Sequence, residues 1–140
     1  MSFGEAIAPF LGRLLLAWFF LSEAYARAVD WSGTTTLLAM KGLPAPAVLL
    51  FIALSVMALG GLSLLLGVRA RLGALALFAF TIIATVTMHD YWKLHEAAAR
   101  AADYDIFVRN LAIAGGLLVL VGLGAGKFAI DNVKTPGRRG

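Results

Sequence analysis

The chain has 140 residues, of which 61% are hydrophobic and only 14% charged, at a net charge of +4. Typical soluble chains carry roughly 45–50% apolar and about 25% charged residues, and one this short has too little interior to hide the excess from water. An ordinary soluble globule is therefore excluded, and the absence of cysteine excludes disulfides, thiolate metal sites, iron–sulfur clusters and cysteine nucleophiles.

The first candidate span covers about 9–29. Arg13 lies near its start, where a long cationic side chain can snorkel to the headgroups, and Glu23 lies inside it. Arg13, the apolar Leu14–Leu21 and Ala24-Tyr25-Ala26 imitate a secretory signal peptide. The segment before Arg13 is itself apolar and contains Glu5, so the reading adopted is a retained helix. The connection Asp30–Pro44 follows, with Trp31, a short helix expected around Thr35–Met40, and the turn Gly42-Leu43-Pro44-Ala45-Pro46. The second span, 45–68, is the cleanest, because no charge interrupts Gly42 to Val68. The third covers 71–89 and is uncharged from Leu72 to Met88. Beyond it, Asp90–Ile106 holds the Ala-rich stretch Lys93–Ala102, where Glu96 and Arg100 stand at i,i+4 and favour a short helix. The fourth span covers 108–125, uncharged from Asn110 to Gly126, and 126–140 is a C-terminal tail. About 20 mainly apolar residues cross the hydrocarbon core. The pattern thus specifies an all-α, integral membrane four-helix bundle in one domain over 1–140, with short interfacial helices in its two outer loops.

Charge bias sets the expected orientation. One side collects Arg13, Arg69, Arg71, Lys127, Lys134, Arg138 and Arg139 against the acids Glu5 and Asp131. The other holds Arg27, Lys41, Lys93, Arg100 and Arg109 against the remaining acids. The positive-inside rule makes the first side cytoplasmic, with both termini on it, in a bacterial-type inner membrane. Topology then accounts for the basic charge, and no nucleic-acid partner is needed, since the basic residues form no patch interleaved with aromatics. Trp31, Tyr91, Trp92 and Tyr104 fall where aromatic rings favour the membrane–water boundary.

Gly60-Gly61-Leu62 with Gly67 repeats the spacing of Gly115-Gly116-Leu117 with Gly122, which is compatible with two parallel two-helix repeats or with chance in a Leu/Gly-rich chain. These small residues, and the pair Gly122 and Gly126, permit close helix contact.

Ionisable groups at membrane depth are costly, so each is a functional candidate. Glu23 precedes Arg27 by four residues: it is either a proton-carrying or quinone-contacting carboxylate, or one half of a packing ion pair. His89 ends the third span beside Asp90, Tyr91 and Trp92, suited to a quinone carbonyl, a proton relay or a helix end. His95 is six residues away and off the same helical face, so a two-histidine haem is not supported, and no metal-ligand spacing is present. Arg109 and Asn110 open the expected fourth helix, where a cation opposes the helix dipole and so calls for a partner among Asp103, Asp105, Asp90, Glu23 or His89.

Several pieces in order carry a resemblance. They are Gly12-Arg13-Leu14-Leu15-Leu16, Gly42-Leu43-Pro44-Ala45-Pro46, Gly60-Gly61-Leu62 and Arg71-Leu72-Gly73-Ala74. His89-Asp90-Tyr91-Trp92 and Phe107-Val108-Arg109-Asn110-Leu111-Ala112 complete the set. Together, over about 12–131, they resemble the DoxX-like family of small four-helix membrane proteins. The resemblance implies a membrane subunit or accessory of a redox system, as in the small subunits of thiosulfate:quinone oxidoreductase, or a link to oxidative-stress or sulfur-metabolism complexes. The chain departs from the family pattern at Met57, where many members carry a carboxylate, and at Glu23, where a small residue is usual. Arg27 stands close to a lysine often found near the end of the first helix.

The expected function is a small subunit of a quinone-linked membrane redox complex, not a catalyst alone. Glu23 would take the proton, while His89 and Arg109 would hydrogen-bond the quinone oxygens. With no cysteine and no haem-ligand pair, electrons would come from other redox subunits. The alternatives are a small transporter or permeation protein, or a purely structural subunit. A homo-oligomer is compatible with each.

Overall fold

In the computed structural model, residues 2–133 are described. They form the helices α1 (Phe3–Val29), α2 (Trp31–Met40), α3 (Pro46–Leu66), α4 (Ala70–Met88), α5 (Ala97–Leu123) and α6 (Ile130–Val133), with a 3₁₀ turn at Tyr91–Lys93. Helices α1, α3, α4 and α5 are long and apolar enough to cross a membrane. Their order is up-down-up-down: α1 packs mainly on α3, α3 on α4 and α4 on α5, with a lesser α1–α5 contact closing the ring.

Local chemistry sets the helix ends. Ser2 and Glu5 form a reciprocal capping box that starts α1. Asp30 ends α1 and begins α2, its side chain accepting from the Gly33 N–H at 3.2 Å. Pro46 stands in the first turn of α3, where its missing N–H costs nothing. Glu96 begins α5 by accepting from the Ala98 and Ala99 amides at 3.1 and 2.7 Å. That carboxylate caps the helix, and the expected pairing with Arg100 does not form. The Ala-rich stretch is helical from Ala97, but it runs unbroken into the fourth span.

The interior holds Ala17, Phe20, Met57, Leu64, Ala74, Leu77 and Leu117, while Trp18 (71% exposed) and Leu59 (68% exposed) point outward. Large apolar side chains facing out are costly in water and favourable against lipid tails. Gly60 and Gly61 let α3 sit close to its neighbours: an added Cβ would lie 2.6 Å from Leu77 and 2.8 Å from Leu21 respectively. The matching pair on α5 is not used this way, since a Cβ on Gly115 would meet nothing within 4 Å. Gly122 is equally open, and Gly126 lies beyond the end of α5, so these two do not form a helix-packing stripe.

Arg13 does not snorkel. It is only 2% exposed, and its terminal nitrogens donate to the carbonyls of Ala125 and Phe128, each at 2.8 Å. The guanidinium also lies 5.5 Å from the Phe10 ring centre. The cause is the chain after α5, which folds back across the end of the bundle and offers carbonyls no helix uses. The Asp131 N–H donates to the Gly67 carbonyl at 2.9 Å, and its carboxylate accepts from the amides of Arg69 and Ala70 at 2.7 and 3.0 Å. Asp131 thereby caps α4 from outside and holds Arg69 in a left-handed conformation (φ 48°) that side-chain-bearing residues avoid. Gly67 also has positive φ, and a Cβ there would press on Arg13 and Ala129. The expected tail is thus docked as far as Val133; Lys134, Arg138 and Arg139 lie outside the described residues.

Candidate functional site

At the opposite end of the bundle a half-open cavity of about 580 Å³ lies between α1, α2, α3, α4 and α5. Pockets of roughly 300–1,000 Å³ accommodate small organic ligands. Phe19, Phe20, Leu50, Met57 and Phe80 supply much of the apolar wall. Glu23, His89 and Arg109, singled out in the sequence on three different spans, all line this one space.

Helix α4 contributes its polar face. Thr81, Thr85 and His89 follow one another at i,i+4 and all line the cavity. The Thr81 hydroxyl donates to the Leu77 carbonyl one turn back at 2.7 Å, and Thr87 does the same to Ile83 at 2.8 Å. Such back-bonding is the ordinary state of a helical threonine. Thr85 departs from it: the residue is 1% exposed, yet its Oγ1 has no hydrogen-bond partner. A buried hydroxyl left without a partner costs about 1–3 kcal/mol.

His89 closes α4, its N–H donating to the Thr85 carbonyl at 3.0 Å. Its Nδ1 lies 2.7 Å from Asp103 Oδ1 on α5. A carboxylate at Nδ1 fixes the ring and keeps a proton on that nitrogen, so Nε2 is the nitrogen left for a ligand or proton. Asp103 Oδ2 is buried and has no partner of its own. Tyr91 braces this region edge-to-face against Trp92, Tyr104 and Phe107 at 5.3, 5.0 and 5.3 Å, tying the turn after α4 to α5. The boundary aromatics of the sequence are therefore also a packed cluster.

Glu23 pairs with Arg27 on the next turn of α1, and both line the cavity. Among the described residues Arg109 forms an ion pair with none of its expected partners. Among the described residues Glu23 is held by Arg27 and His89 by Asp103, while the Arg109 guanidinium lies 5.8 Å from the centre of the Phe19 ring. The expectation placed Arg109 at a helix start, but α5 begins at Ala97. Arg109 sits several turns in, clear of the dipole that was to demand a carboxylate. Asn110 beside it also lines the cavity.

Helix α2 forms one wall through Thr34, Leu37 and Leu38. It packs on α3 and more lightly on α1, and its end is pinned to α4 by charge. Lys41 Nζ lies 2.5 Å from Asp90 Oδ1, and Lys93 Nζ 3.1 Å from Oδ2 of the same residue. His95 is exposed and outside the cavity, and no group of three metal-ligating side chains occurs among the described residues. A second hollow of about 690 Å³ lies at the Arg13 end, but its rim is the exposed cations Arg69, Arg71 and Lys127 with Glu5 and Asp131.

Sequence reasoning passed over Thr85 and named Asp103 only as a partner for Arg109. The i,i+4 run Thr81, Thr85, His89 in an otherwise apolar span was the available signal for the first. The second carried none, because the loop between His89 and Asp103 hides their proximity.

The chain is 27% identical to inner membrane protein YqjF of Escherichia coli K12, covering 92% of this chain and 93% of YqjF. It is 25% identical to inner membrane protein YphA of the same organism, again over 92% of this chain and 93% of the relative. A shorter match, 26% identical over 54% of this chain, reaches the ER-derived vesicles protein ERV29 of Saccharomyces cerevisiae, of which it covers 24%. No solved structure matches. The DoxX family profile matches residues 8–90, from α1 through the end of α4. With four helices able to span a bilayer and a mainly apolar cavity at one end, this multi-pass membrane protein belongs to the DoxX family.

Proposed function

We propose that this protein is a small subunit of an inner-membrane redox system, and that the cavity at its His89 end receives the head group of a quinone. The observation that carries this reading is convergence: Glu23, His89 and Arg109, from three helices, line one mainly apolar cavity of ligand size. The fit of the residues is good. The Arg109 guanidinium, in no ion pair among the described residues, and the Asn110 amide are donors, and a quinone head group is a flat apolar ring bearing acceptors.

Arg109 and Asn110 donate hydrogen bonds to an oxygen at the cavity mouth, and His89 does so through Nε2. Asp103 holds the Nδ1 proton and compensates the imidazolium when His89 is doubly protonated, so the ring can take or give a proton without stranding a charge. Glu23, beside Arg27, is the second proton-handling group. Phe19, Phe20 and Phe80 exclude water around them. When bound, a quinone supplies the capacity to carry two electrons and two protons. The electrons come from a partner subunit, since the chain has no cysteine for a cluster. The charge bias supports a cytoplasmic Arg13 end and a His89 end on the opposite face.

The test is quinone binding by the purified protein in mild detergent, with a short-tailed ubiquinone analogue as probe. Wild type binds, and His89→Ala weakens binding about tenfold, the loss of one hydrogen bond to a group that can carry charge, without changing the particle's size. Absence of binding by wild type overturns the quinone reading; equal binding by His89→Ala removes the histidine from it. Particles from native membranes should contain a flavin, haem or iron–sulfur subunit. A bare homo-oligomer would favour transport.

A further inference from the structure

We infer that the hollow at the Arg13 end holds the phosphodiester head group of an anionic phospholipid. The inference is independent of the quinone reading. Three cations line the hollow: Arg69 and Arg71 at the start of α4, and Lys127 on the segment that returns after α5. None of the three is in an ion pair among the described residues. The two lining carboxylates already accept from the backbone, Glu5 from the Ser2 N–H at 3.0 Å and Asp131 from the amides of Arg69 and Ala70. Arg13 adds a further positive charge behind the wall, through its bond to the carbonyl of the lining residue Ala125. Positive charge is therefore in excess. The backbone is shaped around it. Arg69 stands at a φ of 48°, where a glycine would be cheaper, and strain kept at a charged residue points to a use for its side chain. At Gly124 an added Cβ would lie 3.1 Å from both Nε and Nη2 of Arg71, so the guanidinium rests against the returning chain.

Position says where the anion comes from. Arg69 directly precedes α4 and Leu123 ends α5, so the hollow stands where two spans leave the hydrocarbon, at the level of lipid phosphates. Leu72 (59% exposed) and Leu123 (79% exposed) line it as well. A soluble phosphate gains nothing from exposed leucines, whereas acyl chains below a head group cover them. Guanidinium forks match phosphate oxygens. A zwitterionic head group brings the same phosphate with an ammonium of its own, which the surplus cations repel.

The experiment is native mass spectrometry of the delipidated full-length protein, with phosphatidylglycerol and phosphatidylethanolamine of matched acyl chains. Wild type is expected to bind one phosphatidylglycerol about tenfold more tightly than phosphatidylethanolamine, the effect of one to two cations near a membrane surface. Arg71→Ala and Lys127→Ala should each weaken phosphatidylglycerol binding about fivefold and change phosphatidylethanolamine binding little. The exposed Lys127 keeps the test valid should Arg71→Ala fail to fold. Arg100→Ala removes an exposed cation at the other end of the bundle and should bind like wild type. Equal binding of the two lipids by wild type overturns the inference. A loss in Arg100→Ala as large as in the two site variants does so too, since general charge attraction is then enough. Glycerol 3-phosphate, an anion without acyl chains, should not displace the lipid; if it does, the hollow takes soluble phosphates and the lipid assignment falls.

Discussion

The two ends of this bundle handle polar groups in opposite ways. At the Arg13 end the guanidinium is enclosed by protein, with two carbonyls and an aromatic ring around it, and Asp131 spends both oxygens on backbone amides. The Arg13 Nε has no partner, but it is sealed away from either cavity. At the His89 end Glu23, His89 and Arg109, from three spans, line a cavity, and Arg109 has no ion-pair partner among the described residues. Polar groups inside a membrane protein are expensive whichever way they point. Where they are consumed by the chain they fasten it, and where they are left over they are available to something else. One end is the clasp and the other the candidate site.

Substitutions at three positions test that division, in order of expected effect on stability. Arg13→Leu should be the most damaging, at about 3 kcal/mol or more, since it removes two charge-assisted hydrogen bonds and orphans two carbonyls. It should lower the melting temperature in detergent more than any change at the cavity. Arg13→Lys should recover only part, because one ammonium does not reproduce the fork to both carbonyls. If Arg13→Leu melts like wild type, the clasp does not hold that end. Asp131→Ala comes next, at about 1 kcal/mol, the usual worth of a helix N-cap, with faster hydrogen exchange at the start of α4 as its local sign. Lys41→Ala should change the global melting temperature least. It frees α2 from α4, so its mark is faster exchange of the α2 amides with those of α1 and α3 unaffected. Uniform exchange after this change would mean that α2 is held by its apolar packing alone.

Much of the fold was legible in the residues. Uncharged windows located four spans because crossing a bilayer is a local, additive property of about 20 successive side chains. The short helix before the second span and its Gly-Pro turn were equally local. The candidate site was legible only as a set of residue types. Glu23, His89 and Arg109 were singled out because charge at membrane depth demands a reason. Their partners were only partly foreseen: Arg27 sits in the same helix and was named, whereas Asp103 lies across a loop.

The sequence by itself determined the solvent, the number of spans and the outward apolar surface of this DoxX family protein. It also determined which few polar residues must be explained. Tertiary structure alone decided that Arg13 is buried, that Glu96 caps instead of pairing, and that Asp131 starts a helix it does not belong to. It also decided that Glu23, His89 and Arg109 line one cavity. The reason is geometric. Hydrophobic length is summed along the chain, but a side chain's partner depends on helix rotation and on where a distant segment returns, and a one-dimensional pattern carries neither.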